Sequence, residues 1–176
     1  MYIGTYTSEE FTMTQLFTDT LQIAMVVRDL DATMRRFHDE YGIGPWSIYE
    51  FNPQTCTDME IDEKPADYAM RCGAAMLGSV QWELIEPLDD RSIYAEFLAD
   101  RGEGIHHVAM AVSDYDTTVA GLRSKGHRIL QGGTFHGTTF SYFSTEKDLG
   151  IPIELYSGPL PAIEPDGVYP QPSQSA

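Results

Sequence analysis

The amino-acid sequence predicts an α+β fold of two paired βαβββ modules, and an internal repeat is the main reason. Residues 22–34 align with residues 107–119, and six of the thirteen aligned positions are identical. A second matching pair follows, with Glu83-Leu late in the first copy and Glu154-Leu late in the second. Such a repeat indicates two equivalent structural units. Because a single unit cannot bury its own sheet, the two units are expected to pair.

The first module begins with a strand and a helix. Residues 21–27 alternate between two faces, which indicates a strand. Asp29 is placed to cap a following helix and Gly42 to end it. Apolar residues recur between them at helical spacing, at Leu30, Met34, Phe37 and Tyr41. Further strands are predicted at 45–51, 67–76 and 79–86, and residues 52–66 are interpreted as a long loop.

The second module repeats this order after a connecting helix at 90–102, whose inward residues are Ile93, Phe97 and Leu98. A strand is predicted at 105–113, a helix at 115–125, and further strands near 128–131, 139–144 and 151–157. The chain is therefore divided into an N-terminal arm (1–17), a single domain (18–158) and an extended tail (159–176). Within the domain, module one spans 18–88, the linker helix region 89–103 and module two 104–158.

Composition narrows the classes of function. The 176 residues carry a formal net charge of −16, so the chain lacks the basic face that nucleic-acid binding needs. The same charge disfavours polyanionic ligands, including coenzyme A thioesters, unless local Lys or Arg residues hold them. No apolar run approaches the roughly 20 residues that span a bilayer, and the N-terminus lacks a signal-peptide pattern. We therefore expect a cytoplasmic protein with no membrane partner.

The phase of the two repeated strands predicts which residues face a cavity. His107 shares one strand face with Ala109 and Ala111, and Gln22 shares its face with Ala24. Small residues leave room, so this face is expected to line a cavity. His106 lies in phase with bulky residues on the opposite face, and we expect it to pack against a helix.

These features resemble the vicinal oxygen chelate superfamily, which includes glyoxalase I, methylmalonyl-CoA epimerase, extradiol dioxygenases and antibiotic-binding resistance proteins. The resemblance covers about residues 18–158 and depends on the paired modules, the Asp-Leu-Asp and Asp-Tyr-Asp helix starts and the paired Glu-Leu segments. Residues 83–88 and 102–109 are most similar to the methylmalonyl-CoA epimerase branch. The resemblance implies a curved, partly closed mixed sheet around a central metal and substrate cavity, in a protein expected to form a homodimer.

The resemblance also implies four metal ligands, which correspond here to Gln22, Glu83, His107 and Glu154. Epimerase-like members mostly have His where this chain has Gln22, whereas eukaryotic glyoxalase I enzymes use the Gln/Glu/His/Glu combination. Such a set suits one divalent ion, Zn, Co, Ni or Mn. Two buried glutamates without a cation would be costly, which favours a metal.

The chemistry that follows is proton removal next to a carbonyl group. A divalent ion polarises the carbonyl oxygen and stabilises the resulting enolate. Glu154 and Glu83 are the candidate bases, and Asp67 is the nearest match to a further catalytic carboxylate of the epimerases. The expected function is a metal-dependent epimerase, racemase or isomerase acting on an acyl-CoA or on an aromatic ketone such as an isoflavanone.

Aromatic residues and one loop histidine are candidate substrate contacts, and their alternative role is core packing; they are Trp46, Tyr68, His136 and Tyr142. Two other functions stay open: a metal-free protein that sequesters an aromatic compound, and a glyoxalase-type lyase with a non-glutathione substrate. Glutathione is disfavoured because Val26, Pro87 and Glu103 occupy the places of its binding residues. Ring-cleaving dioxygenase chemistry is disfavoured because only His107 is placed as a histidine ligand.

Overall fold

In the computed structural model, which describes residues 15–158 and 163–171, four α-helices accompany a single 11-stranded mixed sheet. The helices are α1 (Leu30–Tyr41), α2 (Ile93–Arg101), α3 (Tyr115–Ser124) and α4 (Glu146–Leu149). The strands are β1 (Asp19–Val26), β2 (Trp46–Phe51), β3 (Cys56–Ile61), β4 (Lys64–Pro65), β5 (Met70–Leu77), β6 (Val80–Pro87), β7 (Gly104–Ala111), β8 (Ile129–Phe135), β9 (Thr138–Phe143), β10 (Ile153–Tyr156) and β11 (Gly167–Tyr169). The predicted α+β class is confirmed.

The central strands of the two modules pair in the same way on either side of the middle of the sheet. Its strand order is β11-β2-β5-β6-β1-β7-β10-β9-β8-β3-β4. The two repeated strands β1 and β7 pair antiparallel in the middle. Each of them also pairs in parallel with the last long strand of its own module, β1 with β6 and β7 with β10. Among the described strands, β11 and β4 end the order without joining, so the sheet is not closed.

The two repeated helices begin in the same way. Asp29 accepts a hydrogen bond from the backbone N–H of Ala32 at 2.8 Å, and Asp114 accepts one from Thr117 at 2.6 Å. These caps satisfy donors that the first helical turn leaves free. Gly42 ends α1 with a φ of 67°, a left-handed conformation that glycine adopts without steric cost. Both helix starts therefore follow the sequence-based expectation.

The interpretation of residues 52–66 as a long loop is wrong, because this segment contains β3 and β4. β3 pairs antiparallel with β8 at the outer edge of the second module. The pairing shifts register between Thr57 and Glu60, where Asp58 has a φ of 52°. The buried residues Cys56 and Met59 are therefore three positions apart instead of two. That irregularity hides the alternation by which a strand is identified in a sequence.

The connection between β2 and β3 requires the sheet to curl. The two strands lie near opposite ends of the sheet order, yet only residues 52–55 join them. Phe51 of β2 consequently packs on Phe135 of β8, with ring centroids 4.1 Å apart. The curled sheet encloses a cavity on its concave face between the two modules.

Part of the predicted extended tail adds a strand to the sheet. β11 pairs antiparallel with β2, and the side chain of Asp166 accepts a hydrogen bond from the backbone N–H of Glu50 at 2.9 Å. Residues 163–171 thus lie along one edge of the first module. The predictions for residues 1–14, 159–162 and 172–176 fall outside the described residues.

Helices α1 and α2 pack against two different hydrophobic clusters of the sheet. α1 packs on the outer face through Leu30 and Met34. α2 lies beside the central strands, where the predicted inward residues Ile93, Phe97 and Leu98 pack against the central hydrophobic cluster. Within the described ranges, no helix has the length and apolar character required to span a membrane.

Candidate functional site

Two alanine side chains lie between the candidate ligands at the centre of the sheet. Ala24 of β1 lies in register between Glu83 of β6 and His107 of β7. Ala24 is fully buried and contributes only a methyl group, so the longer side chains on either side can meet above it. The first row of the site therefore brings one carboxylate and one imidazole together from two different modules.

A second row lies next to the first. Ala109 of β7 lies in register between Gln22 of β1 and Glu154 of β10. Like Ala24, Ala109 is fully buried. The two rows thus bring the four sequence-predicted metal ligands onto the concave face. Three of them line the cavity directly, namely Gln22, Glu83 and Glu154.

The imidazole of His107 lies between the two carboxylates. Its Nε2 is 3.1 Å from Oε2 of Glu154 and 3.7 Å from Oε2 of Glu83. All three residues are buried, with exposed fractions of 0% for His107, 1% for Glu154 and 8% for Glu83. Neighbouring ligands of an ion bound at about 2.1 Å lie about 3.0 to 3.4 Å apart, so the distance to Glu154 already suits a shared ion and the distance to Glu83 would have to shorten.

Hydrogen bonds link Gln22 and Glu154 to two further residues of the site. The single hydroxyl proton of Tyr156 is shared between Oε1 of Gln22 and Oε2 of Glu154, and the oxygen–oxygen distance to Glu154 is 2.9 Å. The amide nitrogen of Gln22 donates to Oε1 of Gln81 at 2.6 Å. Gln81 and Tyr156 together hold the Gln22 amide with its oxygen facing the Tyr156 hydroxyl and its nitrogen facing Gln81.

Burial controls the charge state of the site. It raises the pKa of Glu83 above its ordinary value, and repulsion from Glu154 raises it further. Burial also raises the pKa of Glu154, although hydrogen bonds from Tyr142 and Tyr156 oppose the shift. Burial lowers the pKa of His107 to about 3, so its ring is neutral at physiological pH. The neutral imidazole is the form of histidine that binds a metal, whereas the two carboxyl groups would release their protons when an ion binds.

The cavity that Gln22, Glu83 and Glu154 line is small, and its wall is mostly aromatic. Its volume is about 110 Å³. The aromatic residues that line it are Tyr49, Phe51, Phe135, Phe140, Tyr142 and Tyr156. Among the described lining residues there is no Lys or Arg. The cavity is therefore suited to a compact, uncharged group with a flat or apolar surface.

A β-bulge overturns one expectation about the histidines. His107 pairs with Ala24 while Ile105 pairs with Met25, so His106 is an extra residue in β7. Because a bulge turns two successive side chains toward the same side, His106 does not lie on the opposite face as the alternation predicted. Its Nδ1 lies 3.0 Å from Nδ1 of His107. The expected packing against a helix is present, since the His106 ring contacts Tyr94 and Phe97 of α2.

Of the four predicted substrate contacts, the structure brings only Tyr142 to the cavity wall, where its ring centroid lies 4.7 Å from that of His107. Trp46 is on the outer face, where it packs with Leu30 and donates its indole N–H to the carbonyl of Ile43 at 2.9 Å. Its role is core packing. Tyr68 is buried in the central cluster with its hydroxyl donating to the Gly132 carbonyl at 2.9 Å.

The remaining two predicted site residues lie away from the carboxylates. His136 is exposed in the turn between β8 and β9, and its ring stacks edge-on against Phe135 at 4.6 Å. Asp67 is exposed and lines a different surface cavity, together with Asp58 and Arg91. Asp67 is therefore not positioned to act on a group bound beside Glu83 or Glu154.

Two residues of the site were missed in the sequence although a signal was present. Tyr156 lies two positions after Glu154, and Gln81 lies two positions before Glu83. In a strand, residues two apart share a face, so both could have been assigned to the cavity. Other lining residues, such as Ile163 from the tail segment, depend on long-range packing and carry no local signal.

The four ligand candidates do not form a finished metal cage. Within the part of the chain that the structure describes, no group of three His, Cys, Asp or Glu side chains is arranged to hold an ion as it stands. However, Nε2 of His107 is buried without a hydrogen-bond partner, because Glu154 is close but not aligned with it. One neutral imidazole, two carboxylates and one amide oxygen fit a divalent ion after small side-chain movements.

Comparison with known structures identifies epimerases of similar fold. The crystal structure of methylmalonyl-CoA epimerase from Mycobacterium tuberculosis shares 27% sequence identity with a TM-score of 0.61, covering 86% of this chain and 95% of that chain. A Streptomyces coelicolor methylmalonyl-CoA epimerase, in complex with 2-nitronate-propionyl-CoA, shares 25% identity with a TM-score of 0.60, covering 84% and 98%.

Sequence comparison gives a broader result. The 4-hydroxyphenylpyruvate dioxygenase of Legionella pneumophila (strain Corby) is 36% identical over 81 residues, which are 46% of this chain but only 23% of the dioxygenase. The family model of the glyoxalase/bleomycin resistance protein/dioxygenase superfamily matches residues 21–143, most of the chain. The resemblance found in the sequence is thereby confirmed, and the chain belongs to the glyoxalase/bleomycin resistance protein/dioxygenase superfamily.

Proposed function

We propose that this protein is a metal-dependent epimerase, racemase or isomerase that removes a proton from the carbon next to a carbonyl group. The observation that carries the proposal is the convergence of His107 Nε2 with the buried carboxylates of Glu83 and Glu154 beside an aromatic cavity. The similarity to two methylmalonyl-CoA epimerases supports the same class of reaction.

Gln22, Glu83, His107 and Glu154 would hold one divalent ion, Zn, Co, Ni or Mn. When bound, such an ion would polarise the carbonyl oxygen of the substrate and stabilise the enolate that forms after proton loss. Its charge also suits the two glutamates, because burial makes their ionised forms costly without a neighbouring cation.

The two glutamates are suited to move a proton between opposite faces of a substrate. Glu154 extends from β10 and Glu83 from β6, with β7 and β1 between them. Tyr156 donates to Oε2 of Glu154, which orients that carboxylate for proton transfer. Removal of a proton by one carboxylate and its return by the other inverts the carbon. Asp67, exposed and outside the cavity, has no part in this proposal.

For the substrate, the cavity favours an aromatic carbonyl compound over an acyl-CoA. The cavity of about 110 Å³ admits a compact group, and its wall is mostly aromatic. Neither Lys nor Arg occurs among the lining residues that the structure describes, and the chain carries 27 acidic against 11 basic residues, so phosphate groups would receive little local attraction. The similar dioxygenase is named for an aromatic 2-oxo acid, and the similar epimerases for an acyl-CoA. Both classes belong in the assay.

The test is exchange of the substrate's α-proton with solvent deuterium, followed by mass spectrometry on aryl ketones and methylmalonyl-CoA in parallel. We expect deuterium incorporation by the metal-loaded wild type and a decrease of about 100-fold or more in Glu154→Gln or Glu83→Gln. Glu86→Gln is the matched control, because Glu86 also lies on β6 but does not line the cavity. Its carboxylate forms an ion pair with Arg71, with a nitrogen–oxygen distance of 3.3 Å. Exchange that survives both substitutions at the wild-type rate would contradict the proposal.

The second candidate function is metal-free sequestration of an aromatic compound. The aromatic cavity wall favours it. It predicts tight binding without deuterium exchange and without any effect of added metal. Dioxygenase chemistry, as in the relative from Legionella pneumophila, is less well supported, because a two-histidine iron site would need a second histidine where Gln22 lies.

We also propose that the protein forms a homodimer in the cytoplasm. Large apolar side chains are exposed at the end of the β5–β6 hairpin, with Met76 at 57% and Leu77 at 50%. Such residues are typical of contact surfaces when they cluster. Light scattering should give a mass near twice that of one chain, and the mass of a single chain would contradict the dimer.

A further inference from the structure

A ring-to-ring contact joins the two neighbouring histidines of β7. Nδ1 of His106 lies 3.0 Å from Nδ1 of His107, a normal hydrogen-bond distance. Since a hydrogen bond needs one donor and one acceptor, one of these nitrogens carries a proton and the other presents a lone pair. The direction of this bond decides what the second ring nitrogen of His107 can do.

In one direction, His106 donates and His107 accepts. A neutral His107 would then carry its proton on Nε2. That proton would be buried without an acceptor, because Nε2 has no aligned hydrogen-bond partner even though Glu154 Oε2 is 3.1 Å away. A buried donor without an acceptor retains the full cost of losing water, so this direction is disfavoured.

In the other direction, His107 donates through Nδ1–H and His106 accepts. Nε2 of His107 then keeps its lone pair, with the nearest carboxylate oxygens of Glu154 and Glu83 at 3.1 Å and 3.7 Å. We propose that His106 is a positioning residue that accepts the Nδ1–H of His107 and thereby holds its Nε2 ready to bind a metal ion. The effect of this hydrogen bond on metal binding rests on the proposed function. The direction of the hydrogen bond itself does not.

The surroundings of His106 suit this role. The bulge in β7 turns its ring toward His107, and the rings of Tyr94 and Phe97 lie 5.2 Å and 5.1 Å from it. These contacts from α2 restrict rotation of the His106 ring. Outer partners of this kind orient metal-binding histidines in general, but they are usually carboxylates, carbonyls or water. A neutral imidazole in this position is a weaker base, so it fixes the tautomer of His107 without adding negative charge.

The first experiment measures the tautomers directly, in the metal-free protein. Two-bond ¹H–¹⁵N correlation spectra of the histidine rings, assigned with a His106→Phe variant, distinguish a protonated Nδ1 from a protonated Nε2. We expect His107 to be protonated on Nδ1 and unprotonated on Nε2. A His107 ring protonated on Nε2 would overturn the inference, whatever the protein does with metals.

The second experiment compares two substitutions of His106. His106→Phe keeps an aromatic ring between Tyr94 and Phe97 but removes the acceptor, whereas His106→Asn can offer an amide oxygen near the position of Nδ1. We expect Co²⁺ affinity to decrease about 10- to 100-fold in the Phe variant and to recover most of this loss in the Asn variant. Thermal unfolding with chelator present checks that both variants fold.

These outcomes separate the inference from the proposed function. Equal Co²⁺ affinity in wild type and His106→Phe, or equal losses in the Phe and Asn variants, would contradict the positioning role. A wild type that binds no divalent ion would contradict the proposed metal site, and the ring spectra of the metal-free protein would still decide the direction of the hydrogen bond.

Discussion

Nε2 of His107 and Oε2 of Glu154 lie 3.1 Å apart in the buried centre of the sheet, yet no hydrogen bond joins them. Both residues belong to the second module, whereas Gln22 and Glu83 come from the first. The site therefore exists only where the two modules pair. This explains why the four candidate ligands lie at equivalent places in the two copies of the internal repeat.

The hydroxyl of Tyr156 should stabilise the metal-free protein measurably. Tyr156→Phe removes the donor shared by Gln22 and Glu154, and leaves two buried acceptors with one partner fewer. We expect the free energy of unfolding, measured in urea with chelator, to decrease by about 1–3 kcal/mol. Tyr49→Phe is the matched control, because Tyr49 lines the same cavity outside this network, and it should change stability by less than about 0.5 kcal/mol. Equal effects of the two substitutions would contradict this assignment.

Filling the space between the candidate ligands should remove ligand binding. Ala109→Leu places a larger side chain between Gln22 and Glu154, where only a methyl group now lies. Overpacking should decrease the free energy of unfolding by about 1–3 kcal/mol, and metal or aryl-ketone titration should give no saturable binding. Ala120→Leu, on the exposed face of α3, is the control and should retain both stability and binding. Normal binding by the Ala109 variant would show that the ligand lies elsewhere.

The metal-free protein should lose stability as the pH rises above neutrality. Carboxyl groups whose pKa is higher in the folded protein stabilise the fold in their protonated form, and this contribution is lost as the pH rises through the folded pKa. The pKa of His106 and of His107 is lower in the folded protein, so these two residues make the stability decrease as the pH falls. This effect is confined to pH values below their unfolded pKa of about 6.5.

The informative window is therefore about pH 6.5 to 8, where the two glutamates dominate. We expect the thermal midpoint in chelator to decrease across this window, and the decrease to become smaller in Glu83→Gln, whose amide cannot ionise. Saturating Co²⁺ should also make this decrease of the thermal midpoint smaller. A midpoint that rises across the window in wild type would contradict the raised pKa values.

Local patterns in the sequence predicted much of the fold. The repeat predicted the paired modules, and Asp29 and Asp114 predicted the two helix starts, because capping depends on neighbours within three residues. Strand alternation brought Gln22 and Ala24 to the concave face for the same reason. The four ligand candidates followed from the family resemblance, and the structure brings them into two adjacent rows.

Features that depend on distant partners were not predictable. β3 pairs with β8, far away in sequence, and its bulge at Asp58 disrupts the alternation. The bulge at His106 likewise arises from pairing with β1, so alternation placed this residue on the wrong face. The role of Trp46 was not predictable for a different reason. An aromatic ring is equally suited to a hydrophobic core and to a binding site, and only its packing under α1 shows that it belongs to the core.

The most direct test of the central claim is metal analysis of purified, tag-free protein, alongside a variant with alanine at Gln22, His107 and Glu154. We predict about one equivalent of a divalent transition metal in wild type, or after incubation with Zn, Co, Ni or Mn, and its loss in the variant. A wild type that binds none of the four ions, or a variant that binds as much as wild type, would contradict the metal site and favour metal-free ligand binding.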